Sequence, residues 1–289
     1  MRIQTVNRIP MRKKFSNALT YVLLATLGTL WVLPIAYLIY TAFRETPSTG
    51  IINTLLPENL RLGIGNFKRL FADTMFPRWL INTLFVSSCS CALTTLFILM
   101  VSYALSRMRF RWRKPLLNVL LVLGMFPGFM SMIAVYFILK AMSLTNSLFA
   151  LILVYSGSAA LSYYICKGFF DTVPRALEEA AWLDGANQPT IFWKIILPMA
   201  KPIIVYTVLT SFISPWCDFI FVNTIISDRN LYTVSLGLYK MINAERNSFN
   251  DNFTVFCAGA FVVGGIIVSL FMSMQRYYVE GVTSGAVKG

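Results

Sequence analysis

The spacing of charged residues constrains the fold of this chain more than any other feature of its 289-residue sequence. Five long windows contain no Asp, Glu, Lys or Arg, and a sixth contains only Asp218. A helix that crosses a lipid bilayer needs about 20 predominantly apolar residues, and each window is long enough. The windows predict transmembrane helices at about 19–41, 80–105, 116–139, 148–166, 203–226 and 253–275. We therefore predict an all-α, polytopic membrane protein.

The composition argues against several classes of function. Only 13% of the residues are charged, against about 25% in soluble domains. The chain contains no His, which rules out a His-based triad, an imidazole proton relay and His metal ligation. Its five Cys residues lie in apolar stretches without a CxxC pair, so neither a disulfide framework nor a zinc site is expected. We expect no catalytic residue and no metal site, and so no enzyme.

Lys and Arg predict the orientation in the membrane. Five basic residues lie within 1–14 and five more within 107–114, whereas the connection between the third and fourth spans has only Lys140. Because cytoplasmic loops carry an excess of Lys and Arg, both termini and the loop 167–202 are predicted to be cytoplasmic, and the loop 227–252 to lie outside. The net charge of +13 is then explained by topology and by anionic lipid rather than by nucleic acid.

The residues that could drive or line transport are few. No Gly is followed by Lys, so the phosphate-cradling loop of P-loop ATPases is missing. Eleven of the twelve acidic residues lie outside the predicted spans, which argues against a proton-coupled carrier. The exception is Asp218, which follows Trp216 closely. Asp218 could accept hydrogen bonds from hydroxyl groups in a pathway beside the Trp216 ring, or it could make a helix–helix hydrogen bond.

The predicted cytoplasmic loop 167–202 has the pattern of two short helices. Asp171 and Thr172 offer capping oxygens before a first helix at 174–184. Gly185 follows at the position where a left-handed residue ends a helix. A second helix is predicted from Thr190 to Leu197, with breaks at Pro198 and Pro202.

An exposed pair of helices between two membrane spans favours docking onto a partner. Ala180 and Ala181 allow a partner's backbone to approach closely, and Glu179 supplies a charge for a basic partner. Trp182 and Leu183 supply apolar area. A plain amphipathic helix at the membrane interface is the alternative.

The same loop resembles a known signature. Glu179-Ala180-Ala181, then Gly185, then Ile195-x-Leu197-Pro198 matches the EAA motif of ABC importer permeases, and the whole chain resembles their MalG-type sugar permeases. Further support comes from the segment 66–83, from Ala104-Leu105-Ser106-Arg107, from Asp184-Gly185-Ala186 and from the final residues 281–289. Two features depart from the family: the sixth span lacks a proline, and Cys217-Asp218 stands where relatives often have Asn followed by an acid.

The resemblance implies an architecture and an assembly. It implies the type I, MetI-like permease fold as one domain over 1–289, in a bacterial cytoplasmic (inner) membrane. The implied partners are a MalF-like second permease, two ATPase subunits that hold ATP and Mg, and an extracytoplasmic sugar-binding protein. The implied cargo is a maltodextrin-like oligosaccharide, and the chain itself binds no cofactor. The implied mechanism is coupling of ATPase closure to alternating access.

The resemblance also assigns roles to segments of the chain. The helix 174–184 is implied to be the coupling helix, with Glu179 paired to a basic residue of an ATPase and Gly185 making the turn after it. The cytoplasmic tail 276–289 is implied to reach between the two ATPases. Its implied contact residues are Thr283, Gly285 and Lys288. The loop 227–252 is implied to face the binding protein.

Three other functions make different predictions. An ion-coupled sugar carrier, the main alternative, predicts inverted repeats or several intramembrane ionisable groups. An ion channel predicts a filter sequence or a ring-forming charged segment. A membrane transferase predicts a cluster of acids or a metal site, and the cytoplasmic cluster Glu178, Glu179 and Asp184 is already accounted for by docking.

Overall fold

The computed structural model of the protein describes residues 11–45, 61–125, 128–243 and 248–286, and within those ranges the chain is built from helices joined by short turns. Helix α1 spans Met11–Phe43, α2 spans Gly65–Ala72 and α3 spans Phe76–Arg107. The segment Leu19–Phe43 and the whole of α3 are long and apolar enough to cross a bilayer. Side chains of α1 from Leu19 to Ile35 are exposed in the isolated chain, which suits a helix surrounded by lipid or by another subunit.

The third and fourth predicted spans each consist of two helices. Helices α4 (Arg113–Met125) and α5 (Gly128–Ala141) cover the third, and the parts Arg113–Met125 and Met130–Ala141 are bent by 106°. Helices α6 (Leu148–Gly157) and α7 (Ala160–Thr172) cover the fourth with a bend of 43°. A run of apolar residues predicts that a segment lies in the membrane, but it does not predict where the helix axis turns.

The predicted coupling loop, residues 167–202, and the start of the fifth span follow. Helix α8 spans Ala176–Leu183, α9 spans Gln188–Ile191, a π-helical turn spans Phe192–Ile196, and α10 spans Leu197–Met199. Helix α11 spans Lys201–Cys217, and its axis is bent by 83° from that of Gln188–Met199.

The fifth predicted span, 203–226, is interrupted near its end. Helix α11 stops at Cys217, Asp218 has an extended backbone, and a short helix α12 follows at Ile220–Ile225. Pro215 removes one backbone donor just before the break. The Asp218 carboxylate accepts from the backbone N–H of Phe221 at 3.0 Å, which starts the new helix.

The last part of the chain returns to α3. A 3₁₀ turn at Arg229–Leu231 precedes α13 (Val234–Asn243), and α14 spans Ser248–Ala286. The segment Asn252–Arg276 of α14 is again long and apolar enough to cross a bilayer. With each bent pair taken as one span, the described residues contain up to six spans.

Helix α3 passes through both apolar cores of the described chain. One core joins it to α6, α12, α13 and α14 and includes Phe76, Trp79 and Leu236. The other joins its C-terminal part to α7, α8 and α9 and includes Tyr103 and Phe170. Helix α3 therefore connects the region around the coupling loop with the opposite end of the bundle.

The contact of α13 with α3 requires a glycine and provides a test of this packing. A Cβ at Gly237 would lie 2.2 Å from ring atoms of Trp79, which itself is buried. Because overpacking of this kind typically costs about 1–3 kcal/mol, we expect Gly237→Ala to reduce the yield of monodisperse protein roughly fivefold or more. Size-exclusion chromatography in detergent measures this yield. Gly168→Ala is the matched control, since a Cβ there meets no atom within 4 Å; equal yields for the two variants would contradict this packing.

Candidate functional site

The first helix of the coupling loop ends as its sequence predicts. Gly185 has φ +81°, which lies in the left-handed region that glycine adopts without steric cost. Its N–H donates to Trp182 O at 3.0 Å, and the N–H of Ala186 donates to Ala181 O at 2.9 Å. These two bonds form a Schellman motif, which satisfies carbonyls left over at the helix end. The predicted role of Gly185 as the residue that ends α8 is confirmed.

Helix α8 has one face turned toward the protein and one toward solvent. Glu178 and Ala181 are buried, so Ala181 packs within the chain's own core. The exposed face carries Glu179, Ala180 and Trp182, followed by Leu183 with 90% of its surface accessible. Trp182 and Leu183 together place two large, exposed apolar side chains beside the Glu179 carboxylate, which is the kind of surface that a partner protein covers.

The start of α8 differs from its prediction. Asp171 and Thr172 do not cap the helix, which begins after Arg175 without a side-chain cap. The Asp171 carboxylate instead accepts from the Ser106 hydroxyl at 2.6 Å and pairs with Lys167. A tertiary partner therefore replaces the local capping bond that the sequence favoured.

The second helix of the loop is longer than predicted. Asn187 caps it by accepting from the N–H of Thr190 at 3.0 Å, and this cap was not among the predicted features. The predicted break at Pro198 is wrong, because the helix runs on to Met199. The π-helical turn explains this: Leu197 N–H bonds to Phe192 O, and the widened turn accommodates the proline that follows. The chain does bend at Ala200, two residues before the predicted break at Pro202. Ile195 and Leu197 are half-buried, and Pro198 is exposed.

The C-terminal turn of α3 holds the coupling loop in place. The Tyr103 hydroxyl donates to Gln188 Oε1 at 3.1 Å, and Ser106 donates to Asp171 as described. Arg107 Nε lies 2.8 Å from Glu178 Oε1, with both side chains only 4% exposed. Burial raises the pKa of Glu178, and the positive charge of Arg107 opposes that rise. In the sequence, Arg107 marks the cytoplasmic side and belongs to the segment Ala104-Leu105-Ser106-Arg107 that resembles the family, but neither feature predicts this contact.

Asp218 lies on the wall of an intramembrane cavity. The cavity has a volume of about 360 Å³, and Tyr155, Ser131, Ser158 and Ser214 are among the residues that line it. The Tyr155 hydroxyl donates to Asp218 Oδ2 at 3.0 Å. Both interpretations of Asp218 thus have structural support: its carboxylate accepts a hydrogen bond from Tyr155 on another helix, and its side chain also lines a cavity.

Trp216 does not share that cavity with Asp218. Its side chain is only 3% exposed and lines a second cavity of about 400 Å³ on the side of α13 and α14. Phe219 and Tyr239, which also line this cavity, have stacked rings 4.7 Å apart. The break between α11 and α12 therefore separates the two predicted pathway residues.

The predicted tail contacts lie at the margin of the described chain. Thr283 and Gly285 belong to the helical backbone at the end of α14, and Lys288 lies outside the described residues. Within the described ranges, no group of three or more acidic, Cys or His side chains comes together as a possible metal site.

The chain is similar to membrane components of bacterial uptake systems. Residues 95–279 match the family model described as binding-protein-dependent transport system inner membrane component. The maltodextrin transport system permease protein MalD of Streptococcus pneumoniae is 32% identical, over 98% of this chain and 99% of that protein. The galactooligosaccharides transport system permease protein GanQ of Bacillus subtilis is 31% identical, over 96% of this chain and 98% of that protein.

A solved structure shares the fold. A bacterial ABC transporter involved in the import of the acidic polysaccharide alginate superposes with a TM-score of 0.77 at 22% identity, covering 94% of this chain and 100% of the matched chain. This confirms the predicted all-α, polytopic permease fold, and the matches confirm the predicted resemblance to MalG-type permeases. The ion-coupled carrier receives no support from them. The chain is a multi-pass membrane protein that belongs to the family of binding-protein-dependent transport system inner membrane components.

Proposed function

We propose that this chain is the permease subunit of an ATP-driven sugar importer and that its cargo is a maltodextrin-like oligosaccharide. The observation that carries the proposal is the full-length similarity to sugar-system permeases, joined to an exposed α8 that ends at Gly185. The chain couples closure of the ATPases to alternating access of the pathway, and it catalyses no reaction itself.

The proposed assembly contains a MalF-like second permease, two ATPase subunits and an extracytoplasmic sugar-binding protein. ATP and Mg are bound by the ATPases, which is consistent with the absence of any Gly-Lys pair in this sequence. Both termini are cytoplasmic, and the loop 227–252 faces the binding protein. The excess of basic residues in 1–14 and 107–114 supports this orientation.

The proposed coupling surface is the solvent-facing side of α8. Glu179 meets a basic residue of the ATPase, Ala180 permits close approach, and Trp182 and Leu183 supply apolar contact area. Their exposure in the isolated chain supports this assignment. Ala181, Ile195, Leu197 and Pro198 shape the loop that presents this surface, and Thr283, Gly285 and Lys288 contact the ATPases from the tail.

Co-purification tests the assembly directly. The tagged protein is extracted from its native membrane in mild detergent after gentle cross-linking, and bound proteins are identified by mass spectrometry. We expect an ATPase and a second polytopic permease. Recovery of this chain without any ATPase would contradict the proposed function.

The proposed pathway contact is the Asp218 cavity. A neutral carboxamide loses the charge that strengthens hydrogen bonds from sugar hydroxyls, and such bonds contribute about 1.5–3 kcal/mol each. We therefore expect Asp218→Asn to reduce uptake at limiting sugar roughly tenfold while the complex still assembles. Radiolabelled maltodextrin uptake into proteoliposomes measures this effect.

Two tyrosine variants test whether an effect on sugar uptake comes from the Asp218 cavity. Tyr155→Phe removes the hydroxyl that donates to the Asp218 carboxylate, and we expect this change to alter the apparent sugar affinity. Tyr164→Phe changes an exposed tyrosine elsewhere and serves as the control. Unchanged sugar uptake in both Asp218→Asn and Tyr155→Phe would show that this cavity is not part of the sugar pathway. The assignment of the coupling surface would be unaffected.

A further inference from the structure

Three polar residues of one helical turn link α3 to the end of α7, to α8 and to the start of α9. Tyr103, Ser106 and Arg107 are spaced so that they share one face of α3. Tyr103 bonds to the start of α9 and Ser106 to the end of α7. Arg107 reaches α8 through Glu178. The end of α3 therefore contacts the elements before, within and after the exposed helix.

Arg107 makes the most extensive of these contacts. Its Nη2 donates to Phe170 O and Val173 O, both at 2.7 Å, while its Nε lies 2.8 Å from Glu178 Oε1. The two carbonyls belong to the C-terminal end of α7, where the last backbone C=O groups have no N–H partner within the helix. One guanidinium on α3 thus contacts both α7 and α8, and its side chain is only 4% exposed.

The burial of Arg107 sets it apart from its neighbours. Arg109 and Arg111 in the same basic segment are exposed, as residues that only mark the cytoplasmic side can be. Arg113 bonds back to the carbonyls of Leu105 and Ser106 and so fixes the end of α3 itself. Topology alone does not require a buried arginine, and a buried charge is costly unless it is paired.

We propose that Arg107 and Glu178 form a latch that makes the coupling helix move as one body with α3. The inference rests on the proposed function: when an ATPase displaces α8, the latch transmits the displacement along α3 to its far end, where Trp79 packs against Gly237. Arg107 and Glu178 are positioning residues, since neither side chain is on the exposed face of α8. Without the latch, α8 can follow the ATPase while α3 remains behind.

The test compares sugar transported with ATP hydrolysed in the complete importer. The reconstituted complex carries Arg107→Gln, Glu178→Gln or the exposed control Arg109→Gln, and both rates are measured in the same proteoliposomes. We expect the first two variants to lower the ratio of sugar moved to ATP hydrolysed at least roughly tenfold, equivalent to about 1.4 kcal/mol of lost coupling. The Arg109→Gln ratio is expected to equal that of the wild type.

Further variants separate the latch from a general folding defect. Each single variant leaves one buried charge unpaired, whereas replacing a whole buried ion pair by apolar residues is often tolerated. We therefore expect the double variant Arg107→Leu, Glu178→Leu to assemble and still show a low ratio. Arg107→Lys keeps the charge but loses the fork-shaped contacts, and an intermediate ratio is expected.

The outcomes are distinguishable from failure of the proposed function. If wild-type complex shows no ATP-dependent sugar uptake, the proposed function is wrong. If wild-type complex transports and either the Gln variants or the double Leu variant keep the wild-type ratio, the latch is wrong and the importer assignment stands.

Discussion

Gly185→Pro is expected to abolish sugar uptake and sugar-stimulated ATP hydrolysis while leaving membrane insertion intact. The proline ring fixes φ at about −65°, whereas this position has φ +81°. Proline also removes the N–H that donates to Trp182 O. Because α8 can then no longer end in its Schellman motif, the exposed surface is presented to the ATPase at a different angle. Uptake and ATPase assays on the reconstituted complex measure the loss, and membrane fractionation measures insertion.

A second substitution at this position serves as the control. Asn tolerates the left-handed backbone region better than other non-glycine residues, so Gly185→Asn is expected to retain most of the uptake. The comparison isolates backbone geometry from the mere loss of glycine. Full activity of Gly185→Pro would show that the turn after α8 plays no part in coupling.

Glu179→Ala is the second variant for which we expect a large effect. Its carboxylate is exposed on the surface proposed to meet the ATPase, and loss of one member of a buried interface charge pair typically costs about 2–5 kcal/mol. Sugar-stimulated ATP hydrolysis is therefore expected to fall at least about 30-fold, since each 1.4 kcal/mol is roughly a factor of ten. The measurement is hydrolysis with and without the sugar-loaded binding protein.

The control for Glu179→Ala removes another exposed acid from a different part of the chain. Asp73 lies at the end of α2, outside the coupling loop. The complex that carries Asp73→Asn is expected to hydrolyse ATP at the wild-type rate. Tight coupling of uptake to hydrolysis in Glu179→Ala would contradict the coupling assignment. The adjacent Glu178 cannot serve as a control, because its carboxylate is buried against Arg107.

The sequence was most informative about properties that depend on local composition. The windows without charged residues depend only on local composition, and they predicted the all-α membrane fold. The solved structure of similar fold confirms this fold class. Gly185 could be predicted because a helix that ends in the left-handed region favours glycine whatever surrounds it. The bends within the third and fourth spans were not predictable in this way, because the direction of each helix depends on what it packs against.

The two adjacent glutamates of α8 differ in burial although they lie in the same local sequence. Glu178 and Glu179 are the same residue type, one step apart on a helix, and consecutive residues point about 100° apart. The sequence contains no signal that one is buried and the other exposed. The motif directed attention to Glu179, whereas the buried ion pair belongs to Glu178.

By itself, the sequence determined that this chain is a helical membrane protein, where the EAA motif lies and which residue ends the first helix of its loop. Each of these depends on residues close together in the chain, whose hydrophobicity and backbone preferences act locally. Only the tertiary structure decided that Asp171 binds Ser106 rather than capping α8, and that Arg107 is buried rather than facing lipid headgroups. Such choices depend on partners more than 60 residues away, and the free energy of each contact exists only after the helices have packed.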